Sequence, residues 1–199
     1  MPKSAFVAII GRPSVGKSTL LNALCGAKVS IVSSVPQTTR NAIRGIITRP
    51  EGQLIFVDTP GYHISDKKLN LRLREIVLRS LSEVDLILYL IDATREPGKE
   101  EEAIAELLSK DIHRIVVAIN KIDDPEARPI LIEEFIIPRL RGAKRVSISA
   151  VEKTNLESLI EVLFSLAPEG PFWYPEDIYT DQEPVFRIGE LVREKAILN

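Results

Sequence analysis

The segment GRPSVGKS, running from Gly11 to Ser18, has the residue types and spacing needed to hold a polyphosphate. Glycines at both ends let the chain curl, so that successive backbone N–H groups turn inward onto a β-phosphate. Lys17 adds a point charge toward the β- and γ-phosphates, and Ser18 offers a hydroxyl to Mg²⁺. The strand-like run AFVAII precedes the loop and a helical run follows it, which sets the phosphates at a helix N-terminus. Outside that context the loop would read as an ordinary strand-to-helix turn. Its candidate nucleotide contacts are Gly11, Ser14, Val15, Gly16, Lys17, Ser18 and Thr19. Lys17 is also a candidate catalytic group, neutralising charge that develops on the phosphates.

Three further patterns come later in the chain. In Asp58-Thr59-Pro60-Gly61 the carboxylate can orient Mg²⁺ through its water shell, and the Gly61 amide can meet a γ-phosphate. In Asn120-Lys121-Ile122-Asp123 the Asp123 carboxylate can accept guanine N1–H and the exocyclic amine, a pair of donors adenine does not offer in that arrangement. Asn120 would brace this loop and the Lys121 stem would lie over the base; a simple loop-terminating cap is the plainer alternative. Ser149-Ala150 would present the Ala150 amide to guanine O6. Each pattern is weak alone. In order, each at the end of an apolar run, they fall along one edge of a sheet, where open α/β folds bind ligands, and they point to GTP and GDP with Mg²⁺.

Positioning these residues requires strands at 5–10, 43–48, 53–58, 85–92, 114–120 and 145–150. Most are apolar on both faces, as a sheet covered on both sides requires. The expected fold is α/β: a P-loop NTPase with a mostly parallel, doubly wound six-stranded sheet, one antiparallel strand, and helices on both faces. The antiparallel member follows from Arg49-Pro50-Glu51-Gly52, too short a connection for a crossover helix. Thr154 and Glu157 suggest a capping box ahead of a helix carrying Leu156, Leu159, Ile160 and Leu163. Another helix is expected from Lys99, carrying Ala103, Leu107 and Leu108. At Pro168 the composition shifts to a stretch rich in proline and aromatic residues, so the boundary is placed there, between 1–168 and 169–199.

Composition narrows the remaining classes. With 26 basic and 28 acidic residues among 199, the chain has no basic arm for DNA. The local cluster Arg139, Arg141, Lys144 and Arg145 reads as a solvated face. A single cysteine, Cys25, excludes an internal disulfide and reads as a small core hydrophobe. One cysteine and two histidines suggest no metal site built from protein ligands alone. The N-terminus lacks a signal-peptide pattern and the apolar runs are too short to span a bilayer, so a soluble, cytoplasmic protein is expected. Two competing functions are a nucleotide kinase or other ATP-dependent enzyme, and an RNA-binding module in which nucleotide is only structural. The guanine-type loop counts against the first, and the negative net charge against the second.

In their order and spacing, GRPSVGKST, PQTTR, DTPGYH, NKID and SISA resemble the GTPases of the Era family over residues 4–167. The stretch YPEDIYTDQEPVFRIGELVREKAILN resembles that family's junction into its KH domain and the first helix of that domain. The resemblance implies a GTPase that works as a conformational switch, binding small-subunit ribosomal RNA through the KH domain during ribosome biogenesis; it also admits peripheral membrane association. It implies Thr39, with Thr38 as second choice, as a catalytic threonine coordinating Mg²⁺ beside Ser18 and Asp58. It also implies switch segments at about 30–42 and 60–75. Tyr62 stands where Ras-like proteins carry a water-orienting glutamine, so hydrolysis should be slow and Tyr62 a packing residue. The chain departs from the family pattern at Ser14, where an asparagine that helps hold potassium is common, and at Lys153, where glycine is common. It also reaches Asn199 without a GxxG loop, so only the beginning of a KH domain is expected. The helix carrying Val185, Ile188, Leu191 and Val192 must then dock on the GTPase domain or stay loosely ordered.

Overall fold

A computed structural model describes residues 1–31, 43–58 and 83–198. Thr38, Thr39, Gly61 and Tyr62 lie outside these residues, as does the side chain of Asp58. The strands are β1 (Lys3–Ile10), β2 (Ile43–Arg49), β3 (Gly52–Asp58), β4 (Leu86–Asp92), β5 (Ile115–Asn120) and β6 (Lys144–Ser147). The helices are α1 (Lys17–Cys25), α2 (Lys99–Leu108), α3 (Pro129–Arg139), α4 (Leu156–Leu166) and α5 (Pro184–Leu198). The strands form one sheet in the order β2-β3-β1-β4-β5-β6. Among these strands only β2 and β3 pair antiparallel, through the tight turn at Pro50 and Glu51. All other pairings are parallel.

Side chains alternate between two cores, as a period of two demands. Leu86, Leu88 and Leu90 of β4 join Val7 and Ile9 of β1 beneath α1 and α4, where Leu20, Leu21, Leu159 and Leu163 close the layer. Ile87, Tyr89 and Ile91 face the other way with Val117 and Ile119, against Ile104 and Leu108 of α2 and Ile132 and Ile136 of α3. Helices thus cover both faces, as expected. Cys25 packs against the first core, and burial pushes its thiol pKa up to about 12. The inward face of α2 is Ile104, Ala105 and Leu108, with Ala103 and Leu107 only partly covered.

Two local expectations need correction. The expected capping box at Thr154 does not form. Asn155 precedes α4 with φ 58° and no side-chain cap, a left-handed conformation that asparagine tolerates better than most residues. Thr154 instead bridges Ser149, and Glu157 pairs with Arg49 at 2.9 Å. Strand β6 also ends at Ser147, short of residue 150. After the Ile148 N–H donates to the Ile119 carbonyl (2.7 Å), the Ser149–Thr154 bridge turns the chain back on itself.

Beyond Pro168 the chain stays on the sheet. Ser4 N–H donates to the Pro168 carbonyl and Gly170 N–H to that of Pro2, while Ile46 N–H on β2 donates to Tyr179. The side-chain amide of Gln53, fully buried, closes the contact. Its nitrogen donates to the Tyr174 carbonyl and to Thr48 Oγ1, and its oxygen accepts from the N–H groups of Trp173 and Tyr174, each at 2.9–3.0 Å. Helix α5 docks rather than standing apart: Lys28 pairs with Glu194 at 2.6 Å, and Gln182 Nε2 reaches the Val29 carbonyl. Val185, Ile188 and Val192 on α5 are exposed.

Candidate functional site

Strand β1 lies between β3 and β4, and the loop leaving its carboxyl end turns directly into α1. That is the reversal point at which doubly wound sheets open a crevice. Gly16 caps α1 with φ 101°, and a Cβ there would stand 2.5 Å from Asn120 Nδ2. Both the backbone angle and the neighbour therefore demand glycine. At Gly11 a Cβ would fall 2.5 Å from the Leu90 carbonyl oxygen. Ser14 also takes a left-handed φ of 63°. Asparagine adopts this region more readily than serine.

Lys17 is the first residue of α1 and is buried, with 8% exposure. Its ammonium donates to the carbonyls of Gly11 (2.9 Å) and Arg12 (2.8 Å), so it bridges the loop it belongs to. The Arg12 side chain, not anticipated from sequence, ties the loop to α2 through Glu100 and Glu101. Burial alone would lower the guanidinium pKa, but the two carboxylates outweigh it and raise the pKa above its ordinary value. Glu101 also accepts from the Gly98 N–H at the start of α2 (2.8 Å). Ser18 and Thr19 follow in the first turn of α1.

The base-side loops converge on Asn120, which is 2% exposed at the end of β5. Its Nδ2 donates to the Val15 carbonyl of the phosphate loop (2.8 Å), and its Oδ1 accepts from the Ala150 N–H (3.0 Å). One side chain therefore braces three loops, and both ends of its amide are satisfied, as a buried amide requires. The Ala150 N–H, expected to face guanine O6, is engaged here by Asn120. Ser149 is fully buried, and its hydroxyl accepts from the Glu152 N–H. Lys121 has φ 68° and donates to Asp92 Oδ2 at 2.6 Å. Asp123 is exposed at the same edge. Lys153 takes φ 58°, a left-handed conformation that glycine adopts at no steric cost.

Of the proposed cation ligands, Ser18 sits one residue past Lys17, and Asp58 ends β3 in register with Ile9 of β1. Both are hard oxygen donors, the type Mg²⁺ prefers. Among the described residues no group of three or more His, Cys, Asp or Glu could hold a metal. A cation at this edge would therefore draw on a few side-chain oxygens together with phosphate oxygens and water, as Mg²⁺ commonly does. No helix among the described residues is long and apolar enough to cross a membrane.

Strand order, phosphate loop and base-side loops together define a P-loop GTPase. A sequence family described as "50S ribosome-binding GTPase" matches residues 6–121. GTPase Era of Treponema denticola is 50% identical across 98% of this chain and 68% of its own length. Two solved Era structures superpose over 98% of this chain and 67% of their own. An Aquifex aeolicus Era variant bound to GDP and AlF4⁻ has a TM-score of 0.85 at 39% identity. Era in complex with MgGDPNP and nucleotides 1506–1542 of 16S ribosomal RNA has a TM-score of 0.86 at 38% identity. The chain belongs to the Era family of GTPases, and it binds and hydrolyses GTP.

Proposed function

We propose that this chain is a GTP-driven switch in assembly of the small ribosomal subunit, acting in the cytoplasm and binding the 3′ end of small-subunit RNA. The observation that carries the nucleotide reading is the Asn120 brace, which joins Val15 of the phosphate loop to Ala150 of the base loop and so sets the distance between the two subsites. The RNA part is supported by the solved Era complex with a 16S fragment, which matches this chain over 98% of its length.

In this reading residues 1–168 hold the nucleotide and residues 169–199 lead into the RNA-binding part. The amides of Ser14 to Thr19 and the α1 N-terminus bind the β-phosphate. Lys17, released from the Gly11 and Arg12 carbonyls, neutralises charge on the β- and γ-phosphates. Asp123 accepts the guanine N1–H and amine, and Lys121 lies along the base. Ser18, Asp58 and Thr39, or Thr38 in its place, would hold Mg²⁺, which would supply positive charge against the charge on the phosphates. The Gly61 amide would meet the γ-phosphate. Because Tyr62 cannot orient water as a glutamine does, intrinsic turnover should fall at about 10⁻⁴–10⁻² s⁻¹.

The test is base choice. A site built to hydrogen-bond guanine should reject ATP by roughly 10⁴-fold. Asp123→Asn should weaken GTP binding and shift preference toward xanthine nucleotides. Comparable GTP and ATP affinities in a direct titration would overturn the reading. A parallel filter-binding titration with the 16S 3′ end addresses the RNA part, and binding by residues 1–199 should be weak and fall steeply with salt.

A further inference from the structure

We infer that Asp92 is a positioning residue for the base subsite: it anchors the Lys121 ammonium so that the aliphatic stem of that lysine is presented to the base. The inference rests on the reading of residues 120–123 as the base loop. Asp92 ends β4 in register with Asn120 on β5, one residue before Lys121. It is 3% exposed, and its Oδ2 accepts from Lys121 Nζ at 2.6 Å. Its Oδ1 accepts both the N–H (2.9 Å) and the hydroxyl (2.7 Å) of Thr94, which fixes the carboxylate plane. Arg95 Nε stands further off, at 3.5 Å. The lysine backbone is left-handed, a conformation residues with side chains rarely adopt and one that persists where the surroundings impose it.

A buried carboxylate at the end of an otherwise apolar strand is costly to desolvate, and even when paired it adds little stability over an apolar pair. Lysine has a long stem with many rotamers, and stacking it on a base would require ordering that stem. Tethering its head to Asp92 supplies the order before the nucleotide arrives. Burial alone would raise the Asp92 carboxyl pKa. The Lys121 hydrogen bond, the two Thr94 bonds and the Lys121 charge outweigh it and hold the group below its ordinary value, so the anchor is ionised.

The experiment measures GDP and IDP affinity by displacement of a fluorescent nucleotide, with melting temperature alongside. It compares the parent chain with Asp92→Ala, Asp92→Asn, Lys121→Ala and Asp92→Ala/Lys121→Ala. Asp92→Ala is expected to weaken both nucleotides by the same factor, about tenfold, as loss of an orienting partner does elsewhere. The factors match because the stem covers either base, whereas the exocyclic amine belongs to Asp123. On the Lys121→Ala background the same change should add less than about twofold. A full-size effect on that background would overturn the proposal, as would unequal losses for GDP and IDP or no loss at all. If Lys121→Ala itself left GDP affinity unchanged, the base-loop role of Lys121 would fall and the proposal with it, an outcome distinct from failure at Asp92 alone. Should Asp92→Ala not fold, Asp92→Asn, which keeps an acceptor for Thr94, carries the same comparison with a smaller expected loss.

Discussion

Two margins of the sheet use buried amides in opposite ways. At the carboxyl ends of β1 and β5, Asn120 joins loops whose backbones sit in left-handed conformations at Ser14, Gly16 and Lys121. At the β2–β3 margin, Gln53 spends all four of its hydrogen bonds on Thr48 and the bend at Trp173 and Tyr174. Both amides are buried and satisfied, Gln53 through four hydrogen bonds and Asn120 through two. The difference lies in what they hold. Asn120 fixes loops that present N–H groups and side chains to a ligand, with local strain that the surrounding contacts must sustain. Gln53 fixes a relaxed segment to the sheet and presents nothing. A buried polar side chain thus marks a site only when what it orders is itself chemically equipped.

That contrast can be broken by substitution. The largest effect is expected at Lys17→Ala, which should cut GTP turnover by roughly 10²–10³-fold, the cost of losing one preorganised charge-stabilising donor. Its melting temperature should move little beside that loss. Collapse of the fold with the activity would show that the lysine staples the loop rather than serving the phosphates. Asn120→Ala should come next and act on both properties. Leaving the Val15 carbonyl and Ala150 N–H without their partner should cost about 3 kcal/mol in denaturant unfolding and should also loosen nucleotide binding.

Gln53→Ala should cost about 2 kcal/mol of stability and expose the segment after Pro168 to protease, with GTP affinity unchanged. Weakened GTP binding in this variant would erase the distinction between the two margins. It would show the segment speaking to the nucleotide site through β2, whose Ile46 N–H bonds Tyr179. The smallest effect belongs to Arg49→Ala. Its pair with Glu157 is exposed on both sides, and such pairs contribute about 0–1 kcal/mol, so the melting curve should barely shift and what shift there is should shrink as salt is raised.

Much of this molecule is legible from local patterns. Continuous apolar runs of strand length specify the central strands, because a sheet covered on both faces leaves no polar side there to mark a period. The short turn at 49–52 dictates the one antiparallel pair, since no crossover fits in it. Glycine spacing in 11–18 reports a backbone that must curl, and it does so with Gly16 at φ 101°. One local signal misleads: Thr154 matches a helix cap but bridges nearby Ser149. The Ala150 N–H bonds Asn120 across the sheet edge.

What tertiary structure alone decided is which polar groups meet. Asp92 reads as a strand-ending acid and Arg12 as a loop cation; only the register of β4 against β5 and the packing of α2 bring them to Lys121 and Glu101. Gln53 reads as a polar start to an apolar strand until the segment from Trp173, more than a hundred residues later, lies down beside it. The sequence by itself determined the nucleotide loops and the alternation of strand and helix, because these depend on backbone freedom and short-range periodicity. Side-chain partners far apart in the chain depend on strand order and on how the helices fold back, and no local pattern carries that information.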